Sequence, residues 1–145
     1  MKLKDLDLLT PFQILEVMQE NTGVDVTARP MESGTSPMHL MVLIDTPEDP
    51  ERKDWLIRLK PAYAVSDGVF VDLNRTPQSE KCHKNDIQLM SSFGFRCRES
   101  PSGDDPYHYF VNDQKDPVQF SQLVHLAVRL ILKLDPGRLK NIDPD

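Results

Sequence analysis

A chain of 145 residues, 39% of them hydrophobic and 28% charged, is long enough to bury about 68–70% of its unfolded surface and too apolar to stay disordered. Its net charge of −6 argues against generic nucleic-acid binding, which needs a clustered basic footprint. Cys82 and Cys97 are too few for a disulfide framework.

At the N-terminus, Asp5 and Asp7 interrupt the apolar run of MKLKDLDLLTPF, so no signal peptide is expected. Arg129 and Lys133 likewise cut the most apolar stretch short of a membrane span. A cytoplasmic protein with reduced thiols is the expectation.

The first regular element is announced by Thr10, Pro11 and Gln13: a cap, a proline at the first helical position and a capping-box glutamine, with Leu9 and Ile14 placed as a hydrophobic staple. A helix from about Pro11 to Asn21 would bury Ile14, Leu15 and Met18, and Gly23 would end it. From Val24 the period becomes two. Val24, Val26 and Ala28 share one side of a strand, with Asp25, Thr27 and Arg29 on the other. After a Ser, Gly and Pro-rich linker, Pro30 to Pro37, the run His39 to Asp45 is apolar on both faces and reads as a central strand. Thr46 to Asp54, charged and with two prolines, predicts an exposed hairpin tip. Trp55, Ile57 and Leu59 then alternate with Arg58 and Lys60 until Pro61, and Gly68 to Leu73 makes a fourth strand.

Thr76 to Lys84 carries no clear pattern. Asn85 and Gln88 open a short helix bearing Ile87, Leu89, Met90 and Phe93, which Gly94 closes. Phe95 to Glu99 and Tyr107 to Asn112 are strands on either side of the turn-rich loop Ser100 to Pro106. The last helix should run from Asp116, as N-cap before Pro117, to Leu134. Phe120, Leu123, Val124, Ala127, Leu130, Ile131 and Leu134 form its core face. Leu126, Val128 and Leu132 widen that face, so a second flank is either covered by the same chain or offered to a partner. Asp135, Pro136 and Gly137 stop the helix, and a short polar tail is expected from about 136. The pattern predicts a single α+β domain over 1–145, in αββββαββα order. Its antiparallel sheet would have about five to six strands, with N-terminal, middle and C-terminal helices packed on it.

No constellation of catalytic type emerges. Cys82, His83, Cys97 and His108 could supply a Cys2His2 set, but ligands of compact zinc motifs arrive in close pairs. Alternation would moreover place Cys97 beside Phe95 on the apolar side and His108 on the other. Cys82 and His83, sequence neighbours beside Lys81, diverge on any regular element and so make a poor nucleophile and base. The carboxylates of the loops, Glu48, Asp49, Glu51, Asp54, Asp104 and Asp105, match no calcium loop, and no glycine-rich phosphate loop can be written. His125 sits at the edge of the last helix. Neither an enzyme nor a cofactor or metal is expected.

One positional pattern remains. If helices cover one face of the sheet, alternation places Arg29, Arg58, Lys60, Arg96 and Arg98 on the other, with Asp25, Asp72 and His108. Such a face either pairs its own charges across strands or docks an acidic segment or a nucleic-acid backbone.

From Ile87 to Leu134 the chain runs through a short helix, a Ser-Phe-Gly-Phe turn, two strands and a long amphipathic helix. This cadence resembles the second half of type III secretion chaperones and of the chaperone-like domains that share their fold. The resemblance implies a non-enzymatic protein that dimerises and holds a partly unfolded partner segment. The expected function is thus a chaperone- or adaptor-like protein-binding module. Its partner is another protein, it forms a homodimer, and neither a membrane nor nucleic acid is a direct ligand. Its binding residues would be Arg29, Arg58, Lys60, Arg96 and Arg98 together with Leu126, Val128 and Leu132. The alternative is an inhibitor or regulator of a nucleic-acid-processing protein, such as a mobile-element product, acting through charged surfaces.

Overall fold

The computed structural model describes residues 1–29, 39–46, 49–61, 68–75, 83–99, 108–112 and 119–143. The linker Pro30 to Pro37, Cys82, the loop carrying Asp104 and Asp105, and Asp116 with Pro117 lie outside them.

A 3-10 helix, Leu3–Leu8, leads into helix α1, Pro11–Gln19. The start of α1 is as the sequence requires. The Gln13 N–H donates to Thr10 Oγ1 at 3.2 Å, and the Thr10 N–H donates to Gln13 Oε1 at 2.8 Å, satisfying two main-chain donors that a helix start otherwise leaves unpaired. Ile14, Leu15 and Met18 are buried on one side. Four strands follow: β1 (Val24–Arg29), β2 (His39–Thr46), β3 (Asp49–Pro61) and β4 (Gly68–Arg75). Then come α2 (His83–Ser92), the hairpin β5 (Phe95–Glu99) and β6 (His108–Asn112), and α3 (Phe120–Leu134).

The class is α+β with antiparallel pairing, as the alternation of the strands predicts. The strands run β1-β2-β3-β4-β6-β5 across the sheet. The hairpin joins the rest through two residue pairs, Gly68 with Val111 and Val69 with Phe110. Beside this junction Asn112 Oδ1 is buried with no partner among the described residues, a local cost in a place where most buried oxygens are bonded.

Helix α3 packs against β2 and β3, α1 against β1 and α3, and α2 against β5. The core between helices and sheet contains Ile14, Met18, Leu40, Val42, Ile44, Ile57, Leu59, Val69, Met90 and the inner side of α3, all buried. Register shows why. Val26, Val42 and Ile57 stand opposite one another in adjacent strands, so period-two alternation in each strand adds to one apolar face. Gly94 turns α2 into β5 with φ of +87°, a conformation that a residue with a Cβ adopts only under strain.

Five sequence expectations need correction. Helix α3 begins at Phe120 rather than after Asp116, because Gln119 is extended and its N–H donates to Gln122 Oε1 at 2.7 Å. Helix α2 starts at His83, before Asn85. The stretch expected as an exposed tip from Thr46 to Asp54 is strand from Asp49 onward. Register shifts around Asp45 take up the extra residues, pairing Asp45 with Lys53 and Thr46 with Asp49, and Pro50, with no N–H to give, falls inside that irregularity.

The segment after 136 is no polar tail either. Leu139 and Ile142 are 2% exposed and belong to the core. Asp143 bridges to Lys2, its N–H donating to the Met1 carbonyl at 2.7 Å, while the Leu3 N–H donates to the Asp143 carbonyl at 3.0 Å. The fifth correction concerns His108, which pairs with Glu99, two residues along from the pair Cys97 and Phe110. That register position is in phase with Cys97 and Phe110 rather than with Arg96 and Arg98.

Candidate binding surface

The surplus apolar flank of α3 has its cover within the chain. Leu126 and Val128, expected as partner-facing residues, are 4% and 0% exposed, and Leu132 is partly buried against the same core. The cover comes from elements that flank α3: Leu6 of the 3-10 helix, Ile14 and Met18 of α1, and Leu139 and Ile142 all join the same cluster. Phe12 and Phe120 add a tilted ring contact between α1 and α3, with centroids 5.5 Å apart.

A polar clasp fixes this arrangement. Asn21, at the end of α1, is 8% exposed. Its Nδ2 donates to Asn141 Oδ1 at 2.7 Å, and its Oδ1 accepts from the Lys140 N–H at 2.8 Å. Asn141 Nδ2 in turn donates to the Val17 carbonyl at 2.9 Å and to Glu20 Oε2 at 3.1 Å. Both ends of each amide are used, so the buried dipoles cost little while the bonds persist. Asn21→Ala leaves Asn141 and the Lys140 N–H without these partners. It should lower stability by about 1–3 kcal/mol, read as a shift in the denaturant midpoint at unchanged slope. The open cleft beside the clasp, lined by Glu20, Asn21, Thr22, Asp135, Arg138 and Lys140 among others, is a by-product of this joint.

The basic residues separate into two groups. Arg58 is exposed in β3, where Met41 and Asp72 flank it in register. Arg29 ends β1 and Lys60 lies in β3; the described side chains do not include theirs. Arg96 and Arg98 are exposed in β5, on the side of the sheet away from the core. Strands β4 and β6 intervene between them and Arg58, three inter-strand steps, or roughly 14 Å at about 4.8 Å each. Nor is the face uniformly polar: Met41 is half-buried, and Val111, opposite Arg96, is buried without belonging to the core cluster.

Of the four residues that could have made a zinc set, Cys97 is half-buried and His83 opens α2. Among the described residues no three His, Cys, Asp or Glu groups converge as metal ligands, and no helix is long and apolar enough to cross a membrane. His125 is half-buried, with Nε2 3.7 Å from Oδ1 of the exposed Asp7, a solvent-screened contact of small energetic weight. The clasp of Asn21 with Asn141 is the feature that sequence reasoning missed. Its only sequence signal was a pair of asparagines following apolar helices, which ordinarily marks a helix end.

No family model matches the chain, and neither a curated protein nor a solved structure matches it.

Proposed function

We propose that the chain is a non-enzymatic protein-binding module, chaperone- or adaptor-like, which holds a partner segment on the side of its sheet away from the helices. The observation that carries this reading is the position of Arg58, Arg96 and Arg98. All three are exposed on the sheet face opposite the core, in a chain that is acidic as a whole. Guanidinium groups stay protonated and offer several donors in a fixed fork, so they hold anions without exchanging protons. Exposed arginines on a sheet suit recognition better than acid–base chemistry.

The homodimer belongs to the same proposal. Antiparallel pairing of two copies through β1, centred on Thr27, would set Asp25 of each opposite Arg29 of the other. Opposite charges at facing positions stabilise such a pair.

The test is light scattering after size-exclusion chromatography, followed by lysine crosslinking of the protein to whatever it retains from a lysate. The expected result is a dimer whose crosslinks to a retained protein include Lys60 in β3. A monomer that retains nothing, or crosslinks confined to Lys133 and Lys140 beside α3, would overturn the reading.

A further inference from the structure

Residues 137–143 belong to no helix or strand and are held much as a bound peptide is. Leu139 and Ile142 enter the buried cluster that contains Leu6, Ile14 and Met18. Asn141, just before Ile142, sits where both ends of an amide are recognised: its Oδ1 accepts from Asn21 Nδ2, and its Nδ2 donates to the Val17 carbonyl and to Glu20 Oε2. Beyond Ile142, the Asp143 N–H and carbonyl bond to Met1 and Leu3. The Lys140 side chain, by contrast, is exposed.

Two features let this segment leave as a unit. It joins α3 through Pro136 and Gly137, both exposed. Gly137 has φ of +91°, with no atom within 4 Å of the place a Cβ would take, so the backbone turns there without obstruction. A cleft of about 650 Å3, lined by Asn21, Arg138 and Asn141 among others, opens the clasp to solvent. Segments held outside helix and sheet ladders open locally before a domain unfolds.

We infer that the groove formed by the 3-10 helix, α1 and α3 is a peptide site which residues 137–143 fill in cis, and that it takes in their place a partner segment of the pattern Leu-x-Asn-Ile. This site lies on the helical side of the sheet and goes beyond the sheet-face reading, which stands or falls separately.

The chemistry of the occupant follows from the groove. The apolar cluster accepts two aliphatic side chains three residues apart and removes them from water. The asparagine position needs a donor as well as an acceptor. An aspartate there has no N–H to give and sets its charge against Glu20. The position of Lys140 faces solvent and makes no demand.

The tethered segment has the advantage of a high effective concentration, so a free segment competes only in those molecules whose own segment is displaced. Weakening the tethered copy should therefore strengthen binding of a free one, the reverse of what damage to an ordinary site does.

The probe is a fluorescein-labelled peptide of residues 137–143, GRLKNID, followed by anisotropy with the full chain. Leu139→Ala with Ile142→Ala should bind it roughly tenfold or more tighter than wild type. Excess unlabelled peptide should raise the denaturant midpoint of this variant and leave that of wild type nearly unchanged. Peptides carrying Leu139→Ala with Ile142→Ala, or Asn141→Asp, should bind the variant roughly tenfold weaker or worse. Where the double variant does not fold, Leu139→Ala alone supplies the same comparison. Binding no tighter in the variants than in wild type, no rise in midpoint, or equal binding of the altered peptides would overturn the inference. A wild-type dimer that Leu139→Ala converts to monomer would assign the groove to the segment of a second copy and overturn it as well. None of these outcomes alters the crosslink at Lys60 on which the sheet-face reading depends.

Discussion

Val128→Asp should leave no cooperatively folded protein. Val128 is fully buried on the flank of α3, and an ionised carboxylate there, without a counter-charge, costs several kcal/mol even after relaxation and water penetration. Domains of this size have only about 5–15 kcal/mol in hand. The same charge one residue on, in Arg129→Asp, falls on an exposed position and should change stability by no more than about 0.5 kcal/mol. Far-UV circular dichroism against denaturant separates the two outcomes. Had this flank been a docking surface, Val128→Asp would abolish association and leave the monomer folded. A normal unfolding transition for Val128→Asp would therefore return Leu126 and Val128 to the list of partner-facing residues.

Leu139→Ala should cost about 2–5 kcal/mol, and Ile142→Ala a similar amount. Both side chains are 2% exposed, and truncating either opens a cavity where the C-terminal segment meets α3, α1 and the 3-10 helix. Because the two share one cluster, the double variant should depart from additivity. Lys140→Ala between them is the control: its side chain is exposed, and only its main-chain N–H enters the clasp with Asn21. A change of less than about 0.5 kcal/mol in Leu139→Ala would show that the segment beyond Gly137 contributes nothing to the core.

These two regions also show where sequence stops determining structure. The cap of α1 was legible because Thr10, Pro11 and Gln13 act within one turn, and the inner face of α3 because a period near 3.6 needs no distant partner. The strand β1 was legible for the same local reason. The C-terminal segment was not: Leu139 and Ile142 stand in PGRLKNIDPD, polar overall, and they are buried by joining a cluster with Leu6, Ile14, Met18 and the side chains of α3, all distant in sequence or on other elements. Proximity of the two chain ends is a property of the fold.

The position of His108 illustrates a different limit. Which side of a hairpin a residue occupies depends on the number of residues in its turn, and a shift by one reverses every assignment. Alternation along β5 was enough to separate Arg96 and Arg98 from Cys97, whereas the partner register of β6 is set by the length of the turn between them. For the same reason a single basic face could be drawn from the sequence. The separation of Arg58 from the β5 pair by two strands could not.

Charge reversal on the sheet face tests the binding account most directly. Arg58→Glu with Arg98→Glu, both at exposed positions, should leave thermal unfolding little changed and abolish retention of the partner that crosslinks at Lys60. Undiminished retention by the folded double variant would contradict the assignment of the partner to this face.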